Sequence, residues 1–311
     1  MNENRFIDPS THRKGIASRD DLRILGEVPV FSIVEFNVIA ACSRKCSFCP
    51  ISLEGFYDMI AASGRMELKF YKKILNDLSE IDYEGKLLFS GFCEPLLHTE
   101  LDKILSLSKE MLPKSGVELN SNGDLLTTER LRNLFGSGLD SIVVSLYDGP
   151  HQYEIFKSMQ NAAGLNDEQV VVRRRFFQNG NYGMAVSNRG GLIDSNQFRA
   201  EKEKKIEELP LKKECYYPFY QIKIDFNGDM LLCSHDWQKR FVVGNLKINT
   251  IWELWTGDKL QGLKKRLARA DRNMVPCDTC DVHGDLIGIE SFLSWKEYFD
   301  GQKYDSAKGI H

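Results

Sequence analysis

The sequence predicts an α/β protein: a partial (β/α)6 TIM-like barrel followed by a small α+β domain. Two observations lead there. Over residues 28–210, short β-branched runs alternate with stretches of helical periodicity, and that alternation gives a parallel sheet with helices outside. The units number five or six, too few for a complete eight-unit barrel of roughly 250 residues. After residue 210 the alternation gives way to a hairpin pattern and paired cysteines.

The elements follow in order. Residues 1–27 are polar and read as a flexible or loosely docked arm. "VPVFSIVEFNVIA" (28–40) is an apolar, β-branched strand, and "LKFYKKILNDLSEI" (68–81) spaces its apolar residues as a helix does. "KLLFSG" (86–91) is a short buried strand, "ELDKILSLSKEML" (100–112) a helix, and "GVELNSNG" (116–123) a strand ending in a turn. "TERLRNLFGSG" (128–138) is a helix closed by glycine. "DSIVVSLYD" (140–148) is a strand, "PHQYEIFKSMQNA" (150–162) a helix and "QVVVRRRFF" (169–177) a strand. "AVSNRGGLI" (185–193) is taken as a sixth strand, followed by a charged helix over 196–209. In the second domain, 211–311, "YQIKIDFNGDMLLC" (220–233) is a hairpin turning at Asn227-Gly228, and 249–270 is helical.

With 42% hydrophobic and 27% charged residues the chain is globular. A net charge of −3 supplies no basic field for nucleic acid. The N-terminus has no apolar signal core, and no run reaches the roughly 20 apolar residues that span a bilayer. A soluble, cytoplasmic protein is expected, without nucleic-acid or membrane partners. In that reducing setting the eight cysteines are ligands rather than disulfides.

Three of them lie in "CSRKCSFCP": Cys42, Cys46 and Cys49, just past the first strand. A structural zinc site wants four ligands, whereas three thiolates can hold an iron–sulfur cluster with one iron left open. Polar signals stand at the ends of the next strands: Glu94, Asn120 to Gly123, and Ser145. In parallel α/β folds, chemistry gathers at those ends.

Cys42, Cys46 and Cys49, with Phe48 before the last, resemble the signature of the radical S-adenosylmethionine superfamily. The resemblance implies a [4Fe–4S] cluster whose fourth iron binds the amino and carboxylate groups of S-adenosylmethionine. It implies release of a 5′-deoxyadenosyl radical that takes hydrogen from a substrate. "SGFCEPLLH" resembles the family's Gly-Gly-Glu-Pro turn, so Gly91, Glu94 and Pro95 fit while Cys93 replaces a glycine. Glu94 is then the contact to the methionine ammonium. "LNSNG" and "VVSLYD" resemble two further family stretches, which makes Asn120 and Ser145 contacts to the nucleoside. Phe48 and Gly91 complete the cofactor-binding set. Cys93 is an additional ligand or simply a small side chain at that turn.

Cys215, Cys233, Cys277 and Cys280 make a second set of four. From spacing alone a zinc ribbon stays open. Beside the first motif the set resembles a reduced SPASM domain, of the twitch type, with one auxiliary [4Fe–4S] cluster. Four thiolates leave no iron open, which implies electron transfer. The cofactors expected are therefore S-adenosylmethionine and two clusters, with a flavodoxin- or ferredoxin-type reductant as partner.

On "VVVRRRFF" either Arg174 alone, or Arg173 with Arg175, points inward; the solvated reading is preferred for two of the three. Arg189, beside glycines at a pocket rim, is the candidate for binding or deprotonating substrate. His235, Asp236 and His283 lie near the second set and either tune it by hydrogen bonds or, the preferred reading, are simply exposed. Tyr216, Tyr217, Trp252 and Trp255 are assigned to the core of the small domain. The leading functional reading is an oxidoreductase acting on a small sugar-like or cyclitol substrate, in line with cyclitol dehydrogenases of the superfamily. A peptide maturase, a sugar epimerase using Cys93 as hydrogen donor, and a zinc- or cluster-bearing binding module are the alternatives.

Overall fold

The fold was analysed in a computed structural model, which describes residues 8–20, 22–60, 63–198 and 208–308. Helix α1 (Pro9–Asp20) precedes a two-stranded antiparallel ribbon of β1 (Ile24–Leu25) and β2 (Val28–Pro29). Then come β3 (Ile33–Asn37), the single turn α2 (Phe56–Met59), α3 (Leu68–Glu80), β4 (Lys86–Phe89), α4 (Leu101–Met111) and β5 (Gly116–Ser121). The series continues with α5 (Thr128–Gly136), β6 (Ser141–Leu146), α6 (Gln152–Ala163) and β7 (Val170–Arg174). The C-terminal part holds α7 (Tyr217–Tyr220), β8 (Gln221–Asp225), β9 (Asp229–Leu231), β10 (Val242–Asn245), α8 (Ile251–Thr256), α9 (Asp258–Leu267) and α10 (Ile289–Lys308).

Strands β3 to β10 form one sheet in the order β10-β9-β8-β3-β4-β5-β6-β7. β3 through β7 run parallel, each beside the next. The sixth parallel strand is not 185–193, which is irregular. It is β8, which pairs with β3 from Ile33↔Gln221 to Asn37↔Asp225. "AVSNRGGLI" carries two glycines in the left-handed region, Gly190 and Gly191, and Arg189 joins them at φ 52°; such backbone cannot sit in a ladder. The hairpin was legible: β8 and β9 pair antiparallel, and Gly228 takes φ 96° at the turn.

Helices α3 to α6 are amphipathic and pack on one face of the sheet. α3 buries Ile74, Leu75 and Leu78, and α4 buries Leu101, Ile104 and Leu105; each such side chain is worth ~1.5–3 kcal/mol of burial. The predicted helix over 249–270 is two helices. Thr250 and Glu253 form a capping box that starts α8, and Gly257, extended at φ −69° and ψ 149°, separates it from α9. Of the helix predicted over 196–209, Ser195–Phe198 forms a 3-10 turn and residues 199–207 lie outside the described residues.

The N-terminal residues correct another expectation. Residues 9–20 are not a loose arm. Arg13 Nε donates to Glu118 Oε2 at 2.7 Å, and Lys14 Nζ reaches Glu35 Oε2 at 3.2 Å. α1 thus docks through ions onto carboxylates of β5 and β3. Glu35 is buried at 3% exposure and also meets Lys223 Nζ at 2.8 Å, Gln221 Nε2 at 2.7 Å and Ser234 Oγ at 2.9 Å. Burial alone would raise its pKa, but Lys14 and Lys223 outweigh that and hold it well below the carboxylate range. Among the described residues no helix is long and apolar enough to cross a membrane.

Candidate functional site

The strand ends open into a cavity of about 890 Å³. Cys42, Cys46 and Cys49 line it from the irregular loop after β3. Gly91, Cys93 and Glu94 line it from the loop after β4, Asn120 from the end of β5, and Ser145 from β6. Phe48 and Arg189 line it too. The first cysteine set, its expected cofactor contacts and Arg189 therefore meet in one place.

The thiols are free, and burial raises the pKa of each, to about 12 for Cys46 and about 11 for Cys49. Beyond burial, Cys46 is pushed up by the charges of Cys49 and Cys42. Three partly buried thiolates so close need a shared cation to neutralise them, and a metal cluster supplies it. Three free thiols on one loop fit a cluster that keeps one iron open, whereas a structural zinc site takes four ligands.

Glu94 is 2% exposed. Its Oε1 accepts from Leu96 N at 3.1 Å and Ser121 Oγ at 2.9 Å, and its Oε2 accepts from Asn122 N at 2.8 Å. Desolvation raises its pKa while these donors pull it down. A carboxylate has about four acceptor sites, so one remains for a ligand donor. Asn120 donates to Ser90 Oγ at 3.1 Å, but its buried Oδ1 has no partner among the described residues. An orphan acceptor in a cavity wall fits a ligand with hydroxyl or amino donors. Ser145 Oγ accepts from Arg173 Nε at 2.8 Å. Gly91 has φ 116°, and a Cβ there would collide with the Lys223 ammonium. Its glycine identity is thus explained by the buried Glu35–Lys223 pair behind it.

Several neighbours escaped the sequence reading. Arg173 and Arg175 both face the cavity, while Arg174 turns outward to the carbonyls of Gln178 and Asn181. The alternation offered that choice, but the preference for two solvated arginines was wrong. Asp8, just before α1, explains it: Oδ2 accepts from Arg175 Nη2 at 2.8 Å. Phe48 sits among aromatic rings, 4.8 Å from Tyr182 and 6.3 Å from Tyr147 by centroids. Arg189 stands 5.8 Å from the Trp237 ring, and its buried Nε has no partner among the described residues. Burial presses its pKa down, with Cys49, Tyr217 and Asp281 opposing. A guanidinium stays protonated, so Arg189 is a donor rather than a base.

Cys215, Cys233, Cys277 and Cys280 line a second, smaller cavity. Gly284, at φ 79°, leaves room for the Cys215 sulfur, since a Cβ there would strike it. Tyr217, His235 and Val282 line both cavities. Tyr217 is therefore wall rather than core, whereas Trp255 is core, donating to Pro29 O at 2.8 Å. Burial, with Arg189 next, drives the His235 pKa down to about 3, so its imidazole is neutral. Asp236 lines the second cavity and His283 the first.

Residues 36–169 match the model of the radical SAM superfamily, and residues 215–281 match SPASM, an iron–sulfur cluster-binding domain. The chain carries a radical SAM domain followed by a SPASM domain. It is accordingly a radical SAM enzyme, with S-adenosylmethionine and two iron–sulfur clusters as its cofactors. The S-adenosyl-L-methionine-dependent 2-deoxy-scyllo-inosamine dehydrogenase of Niallia circulans is 28% identical over 253 residues, 81% of this chain and 93% of that protein. The crystal structure of BtrN in complex with AdoMet and 2-DOIA is similar at 25% identity and a TM-score of 0.69, covering 84% of this chain and 97% of that one. BtrN in an open conformation is similar in fold, at 23% identity and a TM-score of 0.59, covering 81% of this chain and 93% of that one.

Proposed function

We propose that this enzyme oxidises a secondary alcohol of a small cyclitol-like or sugar-like substrate to a ketone. Cys42, Cys46 and Cys49 hold the cluster that binds S-adenosylmethionine, and Cys215, Cys233, Cys277 and Cys280 hold the auxiliary cluster. One observation carries the reading. The two thiol sets lie on either side of a single wall made by Tyr217, His235 and Val282. When bound, the cofactors would supply two one-electron steps, hydrogen removal from carbon and acceptance of the remaining electron, while the hydroxyl proton passes to solvent in the cavity. The similarity to a 2-deoxy-scyllo-inosamine dehydrogenase supports an alcohol as the substrate.

The chain's own residues bind and orient. Glu94 accepts from the methionine ammonium, as a charge-assisted hydrogen bond. Asn120 Oδ1 accepts from the nucleoside. Ser145, already held by Arg173, and the Phe48 ring complete that contact. Arg189 is the candidate catalytic group: its unpartnered Nε–H donates to the substrate hydroxyl oxygen and steadies negative charge there. The division near residue 210, with β8 to β10 carrying the auxiliary-cluster domain, and a flavodoxin- or ferredoxin-type reductant belong to the same reading.

The test is incubation of the reconstituted enzyme with candidate polyols in deuterated water. A ketone formed with one 5′-deoxyadenosine per turnover, that 5′-deoxyadenosine having gained its hydrogen from substrate carbon and no deuterium from solvent, supports oxidation. An inverted, deuterated carbon means epimerisation, and Cys93, which lines the same cavity, is then the group to examine. Turnover of a peptide but of no polyol contradicts the substrate class.

A further inference from the structure

Resting on the assignment of Cys42, Cys46 and Cys49 as one ligand set, we infer that Arg44 is a positioning residue that pins the cysteine loop to two strand ends and sets the charge beside it. The loop lacks sheet or helix support of its own, being irregular from Ala41 to Ser47. Ser43, Lys45 and Ser47 are exposed, but Arg44 turns in and lines the cavity. Its Nε donates to both Asp124 oxygens, at 2.9 and 2.8 Å, and Nη2 reaches Asp124 Oδ1 at 2.5 Å. Nη1 and Nη2 each donate to an Asp148 oxygen at 2.7 Å. Asp124 follows β5 and Asp148 follows β6, so one guanidinium ties the ligand loop to two neighbouring strands. Planar, forked donors suit that task where an ammonium does not.

Both carboxylates are themselves aimed. Asn122 Oδ1 accepts from Asp124 N at 3.0 Å, while Asn122 Nδ2 donates to Ser43 Oγ at 2.8 Å. Gln152 Nε2 donates to Asp148 Oδ2 at 2.8 Å, and Gln152 Oε1 accepts from Tyr147 N and Asp148 N at 2.7 and 2.9 Å. The Arg44 guanidinium also lies 4.9 Å from the Tyr147 ring, which in turn stacks beside Phe48. The clamp therefore orders the loop and one aromatic wall together. Arg44 N donates to Cys42 Sγ at 3.5 Å, so the clamp's charges stand beside the ligand sulfurs. One cation between two anions leaves a net −1. Removing Arg44 makes it −2, and removing both carboxylates makes it +1.

Those opposite signs give a test that a merely structural role would not pass. The full-length protein is reconstituted anaerobically, and the midpoint potential of the first cluster is read by electron paramagnetic resonance. The concentration of S-adenosylmethionine needed to change that spectrum is read alongside. Arg44→Gln should move the midpoint negative, and Asp124→Asn with Asp148→Asn should move it positive. Arg44→Lys should leave the midpoint near wild type while binding S-adenosylmethionine about tenfold more weakly, the scale of one lost charge-assisted hydrogen bond. Arg44→Gln and the double asparagine variant shifting in the same direction, or all three matching wild type, would overturn the inference. If wild type itself assembles no cluster at Cys42, Cys46 and Cys49, the proposed function fails first and the inference falls with it.

Discussion

Glu94→Gln is the perturbation that bears most directly on cofactor binding. The carboxylate is buried and accepts three hydrogen bonds from Leu96 N, Ser121 Oγ and Asn122 N. The amide keeps the shape but loses the charge, and one of its two ends becomes a donor. Whichever end that is, it faces a donor already present, because both oxygens of Glu94 are in use. That conflict costs about 1–3 kcal/mol of fold stability. The lost charge-assisted contact to the methionine ammonium costs about 1.5–3 kcal/mol more of binding, which weakens S-adenosylmethionine by roughly 10- to 150-fold. The assay is iron content, unchanged, followed by titration of S-adenosylmethionine against the spectrum of the reduced cluster. Wild-type affinity in Glu94→Gln would refute the role given to this carboxylate. A collapse of iron content would mean that Glu94 supports the cysteine loop instead.

Other outcomes follow from the same contacts. Lys223→Met leaves Glu35 short of its fully buried partner, and breaking a buried pair costs about 3–5 kcal/mol; the lower end is expected because Lys14, Gln221 and Ser234 remain, and a urea midpoint reads it. Glu35 and Glu118 both titrate below their ordinary 4.5 in the folded protein, since lysine and arginine partners outweigh burial. Their stabilisation is therefore complete above about pH 4.5 and is lost as pH falls through the lowered values; Glu35→Gln should flatten that acid slope in thermal melts. Arg189→Lys should lower turnover with little change in S-adenosylmethionine affinity, as single-turnover formation of product against 5′-deoxyadenosine would show.

Much of this was legible in the sequence, for identifiable reasons. The cysteines stood out because thiol chemistry depends on residue type and spacing more than on fold. Strands β3 to β7 and helices α3 to α6 announced themselves through β-branched runs and 3.6-residue periodicity. β8 was legible as a hairpin arm, but its place as the sixth parallel strand was not, because pairing with β3 joins residues about 190 positions apart, a choice no local pattern encodes. α1 was missed because "PSTHRKGIASRD" has no apolar face. It docks instead through Arg13 and Lys14 onto Glu118 and Glu35, partners invisible until the strands are in register. The Arg44 clamp was hidden for the same reason: Asp124 and Asp148 look like ordinary turn residues until two strand ends bring them to one guanidinium.

The central claim is that Cys42, Cys46 and Cys49 hold a cluster that works on S-adenosylmethionine, while the second cysteine set holds another. Iron and sulfide per chain, with 5′-deoxyadenosine formation under reductant, test it together. About eight irons are expected in wild type and about four in the variant with all three first-set cysteines changed to alanine, with 5′-deoxyadenosine formed by the former and not by the latter. Zinc without iron, or undiminished 5′-deoxyadenosine formation by the triple-alanine variant, would contradict the account.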